Sequence, residues 1–305
     1  MRRVLVSVAL CSLAAAGAAV FAAPAGESGA AAGDKEYTLL VSSTRTGNAE
    51  IFLVNPEWGD ARNLTRHKGD DTFPAWSADG KKIAFISDRD GRPNVYVMDA
   101  DGKRVKQLTN EKGEKDRCYC PTWSPDGKKL AYCRIREGKG ADTIVMDADG
   151  SNDKSIRDNA WDPAWSPDGK KIAITAWTDK GFKVCVMDRD GTNLKEFATG
   201  DNFNGNVYPC WSPDGKKIAY TDVTEGGYEI HVCDADGKNI KKLTTVGGLN
   251  TYSAWSSDGK TIAFSHNEGT GPVSIYLMDA DGSNAREIPA LKEQAGGSRP
   301  AWRPK

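Results

Sequence analysis

The chain contains only three histidines among its 305 residues, although histidine is the commonest metal-ligating side chain in proteins. They are His67, His231 and His266, which lie far apart and lack the spacing of metal ligands. The sequence also lacks a GxSxG motif, and therefore the nucleophile elbow of the α/β-hydrolases. We expect no catalytic residues, no metal and no cofactor.

The sequence has no excess of charge of one sign. Lys and Arg number 41 and Asp and Glu number 42, which gives a formal net charge of −1. The two signs alternate along the chain and form no basic stripe, so the sequence argues against nucleic-acid binding.

Long apolar runs are absent except at the N-terminus. Residues 1–23 have the features of an export signal, because Arg2 and Arg3 begin the segment, an apolar stretch follows, and small residues end it near Ala22. An uncleaved membrane anchor is the alternative, since the run is nearly long enough to span a bilayer. Residues 24–36 are small and polar, as in a flexible linker. We therefore expect a periplasmic or secreted protein with no stable membrane insertion after signal cleavage.

What the sequence does contain is one phrase, repeated through most of its length. WSPDGKKIA or a close variant begins at Trp76, Trp123, Trp165, Trp211 and Trp255, and a clipped copy, AWRPK, contains Trp302. These tryptophans are 47, 42, 46, 44 and 47 residues apart. A repeat of about 45 residues with several short strands in each unit is typical of a β-propeller.

Each unit predicts four antiparallel strands, which we call A to D. In residues 72–109, FPAW is strand A, KKIAFIS is strand B, VYVMDA is strand C and VKQLT is strand D. Alternation of apolar and polar residues, bounded by Asp-Gly turns, is the hairpin signal. The paired aspartates of DADG resemble the start of a calcium loop, but no closing Glu follows, so we interpret them as turns.

The first unit lacks a strand A. Residues 36–65 provide only strands B, C and D (EYTLLVSST, EIFLVNPE and ARNLT), and residues 299–302 at the other end of the chain resemble the missing strand. The sequence therefore predicts an all-β, six-bladed propeller over residues 37–305, with four antiparallel strands in each blade. The C-terminal strand is expected to join blade 1 and close the ring, which removes free sheet edges.

The pattern PxWSPDGKKIAF…IYVMDADG…LT closely resembles the WD40-like PD40 repeat of the TolB-like propellers, periplasmic six-bladed proteins of the Tol–Pal envelope system. The resemblance covers residues 37–305 and implies the same fold. It also implies a channel mouth that binds a protein segment. TolB itself has an α/β domain before its propeller, and this chain is expected to lack that domain.

The loops that join B to C and D to A vary between units, whereas the A–B and C–D turns are nearly identical. Variable loops on a rigid scaffold are where binding usually occurs. The two residues before the proline of each strand A, or before its equivalent, should ring the channel mouth on this variable face. From these pairs we predict seven contact residues: Phe73, Tyr119, Trp161, Asp162, Tyr208, Tyr252 and Arg299. Packing between blades is the alternative role for the aromatic rings.

Six cysteines follow the signal segment. Cys185, Cys210 and Cys233 replace apolar or small residues of the repeat, so we predict buried free thiols at these positions. Cys118 and Cys133 lie near matching ends of neighbouring strands, and we expect them to form the disulfide if one is present.

These features predict an exported, non-catalytic propeller that binds a protein or peptide segment at the mouth of its channel. The partner would be an envelope or secreted protein, with a glycan as the second choice of ligand. The alternative is a propeller enzyme acting on a carbohydrate or lactone with a carboxylate-held metal, for which Asp71, Asp162 and Asp201 lie nearest the mouth. A third interpretation is a structural envelope protein with no single ligand.

Overall fold

The computed structural model describes residues 37–57, 59–197, 205–224, 227–269, 272–288 and 297–305. The predicted signal and linker, residues 1–36, lie outside these ranges. Within them, no helix is long and apolar enough to cross a membrane.

The described residues form 24 strands, which we number β1 to β24 in chain order. Four sheets contain four strands each, and a fifth sheet contains eight. The first four-stranded sheet contains, in spatial order, β24 (Gly297–Trp302), β1 (Leu39–Ser43), β2 (Glu50–Val54) and β3 (Ala61–Asn63). The second contains β4 (Asp71–Trp76), β5 (Lys82–Ser87), β6 (Asn94–Asp99) and β7 (Lys106–Gln107), and the third contains β8 (Arg117–Trp123), β9 (Lys129–Arg136), β10 (Gly140–Asp147) and β11 (Lys154–Asp158). The fourth contains β12 (Ala160–Trp165), β13 (Lys171–Thr178), β14 (Gly181–Asp188) and β15 (Lys195–Glu196).

The eight-stranded sheet contains the same four-strand pattern twice. Its strands are β16 (Asn206–Trp211), β17 (Lys217–Thr224), β18 (Gly227–Asp234), β19 (Lys241–Lys242), β20 (Leu249–Trp255), β21 (Thr261–Asn267), β22 (Ser274–Asp279) and β23 (Arg286–Glu287). A single parallel pairing, between Tyr228 and Leu249, joins the two antiparallel groups. The protein is therefore an all-β propeller with antiparallel four-stranded blades, in which four blades are separate sheets and the remaining strands form one continuous sheet.

The two ends of the described chain meet in one sheet, as expected. Strand β24 pairs antiparallel with β1, with Leu39 opposite Trp302 and Leu40 opposite Ala301. The backbone N–H of Arg303 also donates to the carbonyl oxygen of Thr38 at 2.7 Å. This pairing gives the first blade the strand A that its own sequence lacks.

The hydrophobic core lies between neighbouring blades. Ala84 and Val95 of one blade pack in a cluster with Tyr132 and Ile144 of the next. The blade that contains β1 packs in the same way against β21 and β22, where Leu39 lies in a cluster with Ile275 and Leu277. Because neighbours cover both faces of a blade, its strands B and C are buried on both sides and read as nearly continuous apolar runs.

The repeated phrase encodes the turn between strands A and B. In the first copy, the Ser77 hydroxyl donates to Asp79 Oδ1 at 2.7 Å and accepts from the Lys82 N–H at 2.9 Å. The N–H of Gly80 donates to the Ser77 carbonyl oxygen at 2.9 Å, and Gly80 has a φ of 64°, which favours glycine. Asp-Gly after serine therefore closes the turn as predicted.

The Cys118–Cys133 disulfide, which we expected if one was present, is absent. The six cysteines after the signal segment form no disulfide with one another. The register places Tyr119 opposite Cys133 and Cys118 opposite Arg134, so Cys118 and Cys133 point to opposite faces of the sheet.

The prediction of buried free thiols is confirmed for Cys185 and Cys233. The third of these thiols, Cys210, is free but only half-buried.

Candidate functional site

Every strand A bends at the residue before its proline or at the equivalent position. In β4, for example, the pairing with β5 shifts register between Thr72 and Ala75. The residue at the bend has a positive φ of 51–57° in all six strands: Phe73, Cys120, Asp162, Tyr208, Tyr252 and Arg299. This left-handed conformation costs a residue other than glycine about 1–2 kcal/mol, so the surrounding structure must hold each bend in place. A β-bulge of this kind changes the direction of a side chain, and here it does so six times on one face.

The six bend residues converge on one cavity. It has a volume of about 150 Å³ and is lined by these residues and the one that follows each of them: Phe73, Pro74, Cys120, Pro121, Asp162, Pro163, Tyr208, Pro209, Tyr252, Ser253, Arg299 and Pro300. A water molecule occupies about 30 Å³ in the liquid, so the cavity has room for about five waters. Pockets for small molecules are usually larger, about 300–1,000 Å³.

Arg299 reaches across this cavity from the closing strand β24. Its Cζ lies 3.2 Å from the ring centroid of Phe73 and 3.7 Å from that of Tyr252. Its Nη2 donates to the Tyr252 hydroxyl at 2.6 Å, and its Nη1 donates to Cys120 Sγ at 3.4 Å. Desolvated cation–π contacts contribute about 2 kcal/mol, so the two rings and the two acceptors, the Tyr252 hydroxyl and Cys120 Sγ, together hold the positive charge of Arg299 in the cavity.

Asp162 supplies the negative charge of the cavity. The Cys120 thiol donates to its Oδ1 at 3.1 Å, and the Thr175 hydroxyl donates to its Oδ2 at 2.9 Å. Burial raises the pKa of the Asp162 carboxyl, while the positive charge of Arg299 and the hydrogen bonds from Cys120 and Thr175 act in the opposite direction. The carboxyl is therefore ionised less readily than a carboxyl in water.

Hydroxyl groups on the second strands support the bends of the next blade. The Thr175 hydroxyl accepts a hydrogen bond from the Tyr208 N–H at 3.2 Å, and the Ser265 hydroxyl accepts one from the Arg299 N–H at 3.1 Å. Sequence reasoning missed both hydroxyl residues. The available signal was a Ser or Thr at the same place of an otherwise apolar strand B, as in KIAIT and TIAFS.

The structure brings together five of the seven predicted contact residues. Those that line the cavity are Phe73, Asp162, Tyr208, Tyr252 and Arg299. The sequence predicted the mouth from two residues before the proline of each strand A, and the second of the two, where the backbone bends, is the one that lines the cavity. Cys120 is that second residue in β8. It was not predicted, because aromatic and charged side chains were favoured as contact residues.

The other two predicted residues, Tyr119 and Trp161, lie outside the cavity lining. The Tyr119 ring packs beside Phe73, with 5.6 Å between ring centroids. Trp161 packs edge-on against Phe182 at 5.2 Å, and Phe182 in turn contacts Trp177 at 4.8 Å. Tyr119 therefore packs against a ring of the neighbouring blade, whereas Trp161 packs against a ring of its own blade.

Of the three carboxylates that the sequence placed near the mouth, the structure describes Asp71 and Asp162, and of these two Asp162 alone lines the cavity. Asp71 is buried and pairs with Arg89 at 3.1 Å, and it is not part of the cavity lining. Asp201 lies outside the described residues. Among the residues that the structure describes, no group of three or more His, Cys, Asp or Glu side chains has an arrangement that could hold a metal ion.

Comparison with known proteins accounts for the repeat. A family profile described as the TolB beta propeller domain matches residues 7–144 and 135–305, which together cover nearly the whole sequence. The chain belongs to this family. A Tol-Pal system protein TolB from Wolinella succinogenes is 37% identical over 76 residues, which cover 25% of this chain and 18% of that protein. In three of the curated relatives that the chain matches, this one included, the match covers 12–18% of the relative's own length.

Solved structures share the fold at low sequence identity. The crystal structure of TolB from Acinetobacter baumannii has a TM-score of 0.76 and 22% identity, and the match covers 90% of this chain and 68% of that one. An oligogalacturonate lyase from Vibrio parahaemolyticus has a TM-score of 0.52 and 18% identity, with 85% of this chain and 74% of that chain covered. At these identities the likeness concerns the fold of this TolB-family chain alone.

Proposed function

We propose that this TolB-family chain is an exported, non-catalytic binding propeller that holds an extended protein segment at the mouth formed by its six bend residues. In this proposal, residues 1–23 are a cleaved signal, residues 24–36 are a linker and residues 37–305 are the propeller. The partner is an envelope or secreted protein, which accords with the Tol-Pal system named for one relative. The propeller works in the periplasm or outside the cell.

In this proposal the propeller has six blades. The eight-stranded sheet contains two complete antiparallel groups that one parallel pairing joins, and each group has its own bend residue, Tyr208 or Tyr252. Apolar clusters also lie between these two groups and between each of them and its neighbour. A blade is a four-stranded unit packed on both sides by its neighbours, so the two groups count as two blades.

The observation that carries the binding proposal is the set of bends. Six side chains that are not glycine share a costly backbone conformation, and all six line one cavity. Backbone strain of this kind clusters at ligand-binding and active sites. The side chains themselves include three aromatic rings and one arginine, which are the residue types that contribute most to protein–protein binding.

The size of the cavity favours a protein segment over a glycan. About 150 Å³ is enough for one protruding side chain, and it is smaller than the pockets that usually enclose a small molecule. The rest of an extended segment would lie across the loops around the mouth. The alternative enzyme, which acts on a carbohydrate or lactone, would need carboxylates or histidines that converge on a metal, and Asp162 is the carboxylate present in the cavity lining.

The proposal can be tested by affinity capture from an envelope extract with three immobilised proteins. The first is the wild-type protein, and the second carries Phe73→Ala and Tyr252→Ala, which remove the two rings around Arg299. The third, Trp177→Ala, is the matched control, because Trp177 is 55% exposed and lies outside the cavity lining. We expect a partner that the wild type and Trp177→Ala retain and the double variant releases.

Two other outcomes would contradict the proposal. A partner that all three proteins retain equally would bind somewhere other than the mouth. Cleavage of an oligosaccharide or lactone by the purified wild type, with loss of activity after chelation of metal ions, would favour the enzyme. Circular dichroism of the double variant must match the wild type, so that lost binding is not lost folding.

A further inference from the structure

On the face of the A–B turns, neighbouring four-stranded units pack against each other through a proline ring. The proline stands two residues after the repeated tryptophan of one unit. At four junctions, one of its ring carbons lies 3.3–3.9 Å from the place that a Cβ would take on the turn glycine of the next unit. The pairs are Pro304 with Gly80, Pro125 with Gly169, Pro167 with Gly215, and Pro213 with Gly259. Each ring therefore fills the space beside the next turn.

One junction lacks this ring. Two residues after Trp76 the chain has Ala78 instead of proline, and Gly127 in the next turn has no atom within 4 Å of the place of a Cβ. A cavity of about 420 Å³ lies there, and its lining includes Ala78, Trp123 and Gly127. Ligand pockets usually have volumes of about 300–1,000 Å³. The missing ring therefore coincides with a cavity of the size that holds a ligand.

Two carboxylates and one ammonium group belong to the lining of this cavity. They are those of Asp79, Asp126 and Lys82. A serine hydroxyl and a backbone N–H donate to each carboxylate, and these hydrogen bonds lower the pKa of both carboxyls, which are therefore ionised at neutral pH. Lys82 Nζ already has a partner, because it pairs with Asp99 at 3.4 Å. The lining is therefore negative on balance and favours a cation.

The C-terminal residues of the chain show what such a junction can hold. Beside Gly80, where Pro304 supplies the ring, Arg303 supplies a cation. Its Cζ lies 5.1 Å from the ring centroid of Trp76, within the reach of about 6 Å of a cation–π contact. Its Nη2 donates to the Gly80 carbonyl oxygen at 3.3 Å. An Arg-Pro pair thus contacts both the tryptophan and the glycine of one unit.

Trp123 and Gly127 are the tryptophan and the glycine of the following unit, and they line the open junction. We propose that this junction is a docking site for an extended Arg-Pro segment of a partner protein. The proline ring of the segment lies beside Gly127, in the space that Ala78 leaves open. Its arginine lies against Trp123 and donates to the carboxylates of Asp79 and Asp126, because guanidinium–carboxylate hydrogen bonds are strong. A residue before proline is restricted to extended backbone, so the segment loses little conformational freedom on binding.

The chain contains a matched junction that differs in one residue. Between the units of Trp165 and Trp211, every residue equivalent to one that lines the cavity is of the same type, except that Pro167 replaces Ala78. The two turns also have the same hydrogen bond, from the serine N–H to the carbonyl oxygen of the lysine five residues later at 2.9 Å. Ala78→Pro should therefore close the open junction, and Pro167→Ala should open a second one, without changing either turn.

The test is isothermal titration calorimetry of the full chain with the synthetic peptide Gly-Ala-Arg-Pro-Lys-Gly amide. We expect the wild type to bind one peptide, and Ala78→Pro to bind it at least about tenfold more weakly. Pro167→Ala should bind two peptides per chain, since it reproduces the open junction. Undiminished binding to Ala78→Pro would overturn the proposal, and so would a Pro167→Ala chain that binds no more peptide than the wild type.

Two altered peptides test the chemistry of the occupant. Alanine in place of the proline removes the ring, and glutamine in place of the arginine removes the charge. Each change should weaken binding, and added salt should weaken the original peptide more than the glutamine peptide, because salt screens the attraction to exposed carboxylates. An altered peptide that binds as tightly as the original would contradict the proposed occupant. No binding of the original peptide by the wild type would overturn the site altogether.

This proposal goes beyond the binding mouth and can fail separately from it, because the A–B turns lie on the face opposite the bend residues. The double variant Phe73→Ala and Tyr252→Ala should bind the peptide as the wild type does. Loss of peptide binding in that variant would place the peptide at the mouth and overturn the proposal. Circular dichroism and thermal melting of each variant must match the wild type. If Pro167→Ala does not fold, Ala78→Pro and the altered peptides still decide.

Discussion

The two faces of this propeller differ in how much the residues at equivalent positions vary from blade to blade. On the face of the A–B turns, a serine hydroxyl donates to an aspartate two residues later at 2.6–2.7 Å in five successive copies of the phrase. On the opposite face, the equivalent bend residues are Phe, Cys, Asp, Tyr, Tyr and Arg. Repetition on the turn face supports the fold, whereas the bend residues bring chemically different side chains to one cavity.

The electrostatics of the two faces differ in the same way. The hydrogen bond from Ser166 and the Lys170 N–H lower the pKa of the Asp168 carboxyl in its turn, and the corresponding aspartates of the other copies are lowered by the same kinds of contact. At the mouth, burial raises the pKa of Asp162. Turn aspartates thus carry a stabilised charge in water, whereas Asp162 carries a costly charge inside a cavity.

The largest effect should come from breaking the ring that both faces share. Trp302 packs against the cluster that contains Leu39 and Val41, and its indole N–H donates to the Ala254 carbonyl oxygen at 3.1 Å. Trp302→Ala should lower the free energy of unfolding by about 3–5 kcal/mol, as for other large aromatic truncations. Urea denaturation measures it, and Trp177→Ala, at an exposed site, should cost about 1 kcal/mol or less. A loss at Trp302 no larger than at Trp177 would contradict closure through β24.

A smaller effect on stability should distinguish a glycine on the turn face from a glycine on the mouth face. Gly191, in a C–D turn, has a φ of 90°, and a Cβ there would overlap the Ile156 carbonyl oxygen of the neighbouring blade. Gly91, in a loop on the mouth side, has a φ of 93° and no atom within 4 Å of such a Cβ. Both Gly→Ala changes strain the backbone, but only Gly191→Ala adds a clash, so it should cost about 1–3 kcal/mol more. Equal losses of unfolding free energy would mean that the turns are not packed between blades.

The smallest effect is a difference of sign in the pH dependence of stability. The lowered pKa of Asp168 stabilises the fold above the unfolded pKa near 4, and this contribution is lost as pH falls through the folded pKa. The raised pKa of Asp162 has the opposite effect, because its contribution is present below about pH 4 and is lost as pH rises through the folded pKa.

These signs are measured by urea denaturation at a series of pH values. The stability advantage of the wild type over Asp168→Asn should shrink as pH falls below about 4, and its advantage over Asp162→Asn should shrink as pH rises above about 4. The same sign for both variants would show that Asp162 is not desolvated at the mouth.

Much of the scaffold could be predicted because its information is local and repeated. Ser-x-Asp-Gly, with Pro at x in three of its five copies, encodes a turn through its own hydroxyl, carboxyl and glycine, so the five copies identify five turns without any knowledge of the tertiary structure. The closing strand could be predicted because residues 299–302 repeat the pattern that the first unit lacks, and β24 pairs with β1. The absence of a Cys118–Cys133 disulfide could not be predicted, because a one-residue difference in register decides on which face of the sheet a side chain lies.

The sequence by itself determined the repeat, the turns, the pairing that closes the ring and the short stretch of each strand A that meets the mouth. Those features depend on residues that are neighbours in the chain, or on a pattern that recurs at a constant interval. Only the tertiary structure decided that the second residue of each pair enters the cavity, that Tyr119 and Trp161 pack beside it, and that Cys120 lies between Asp162 and Arg299. The bends of six strands turn these side chains towards one cavity, and residues 179 positions apart in the sequence become contact partners there.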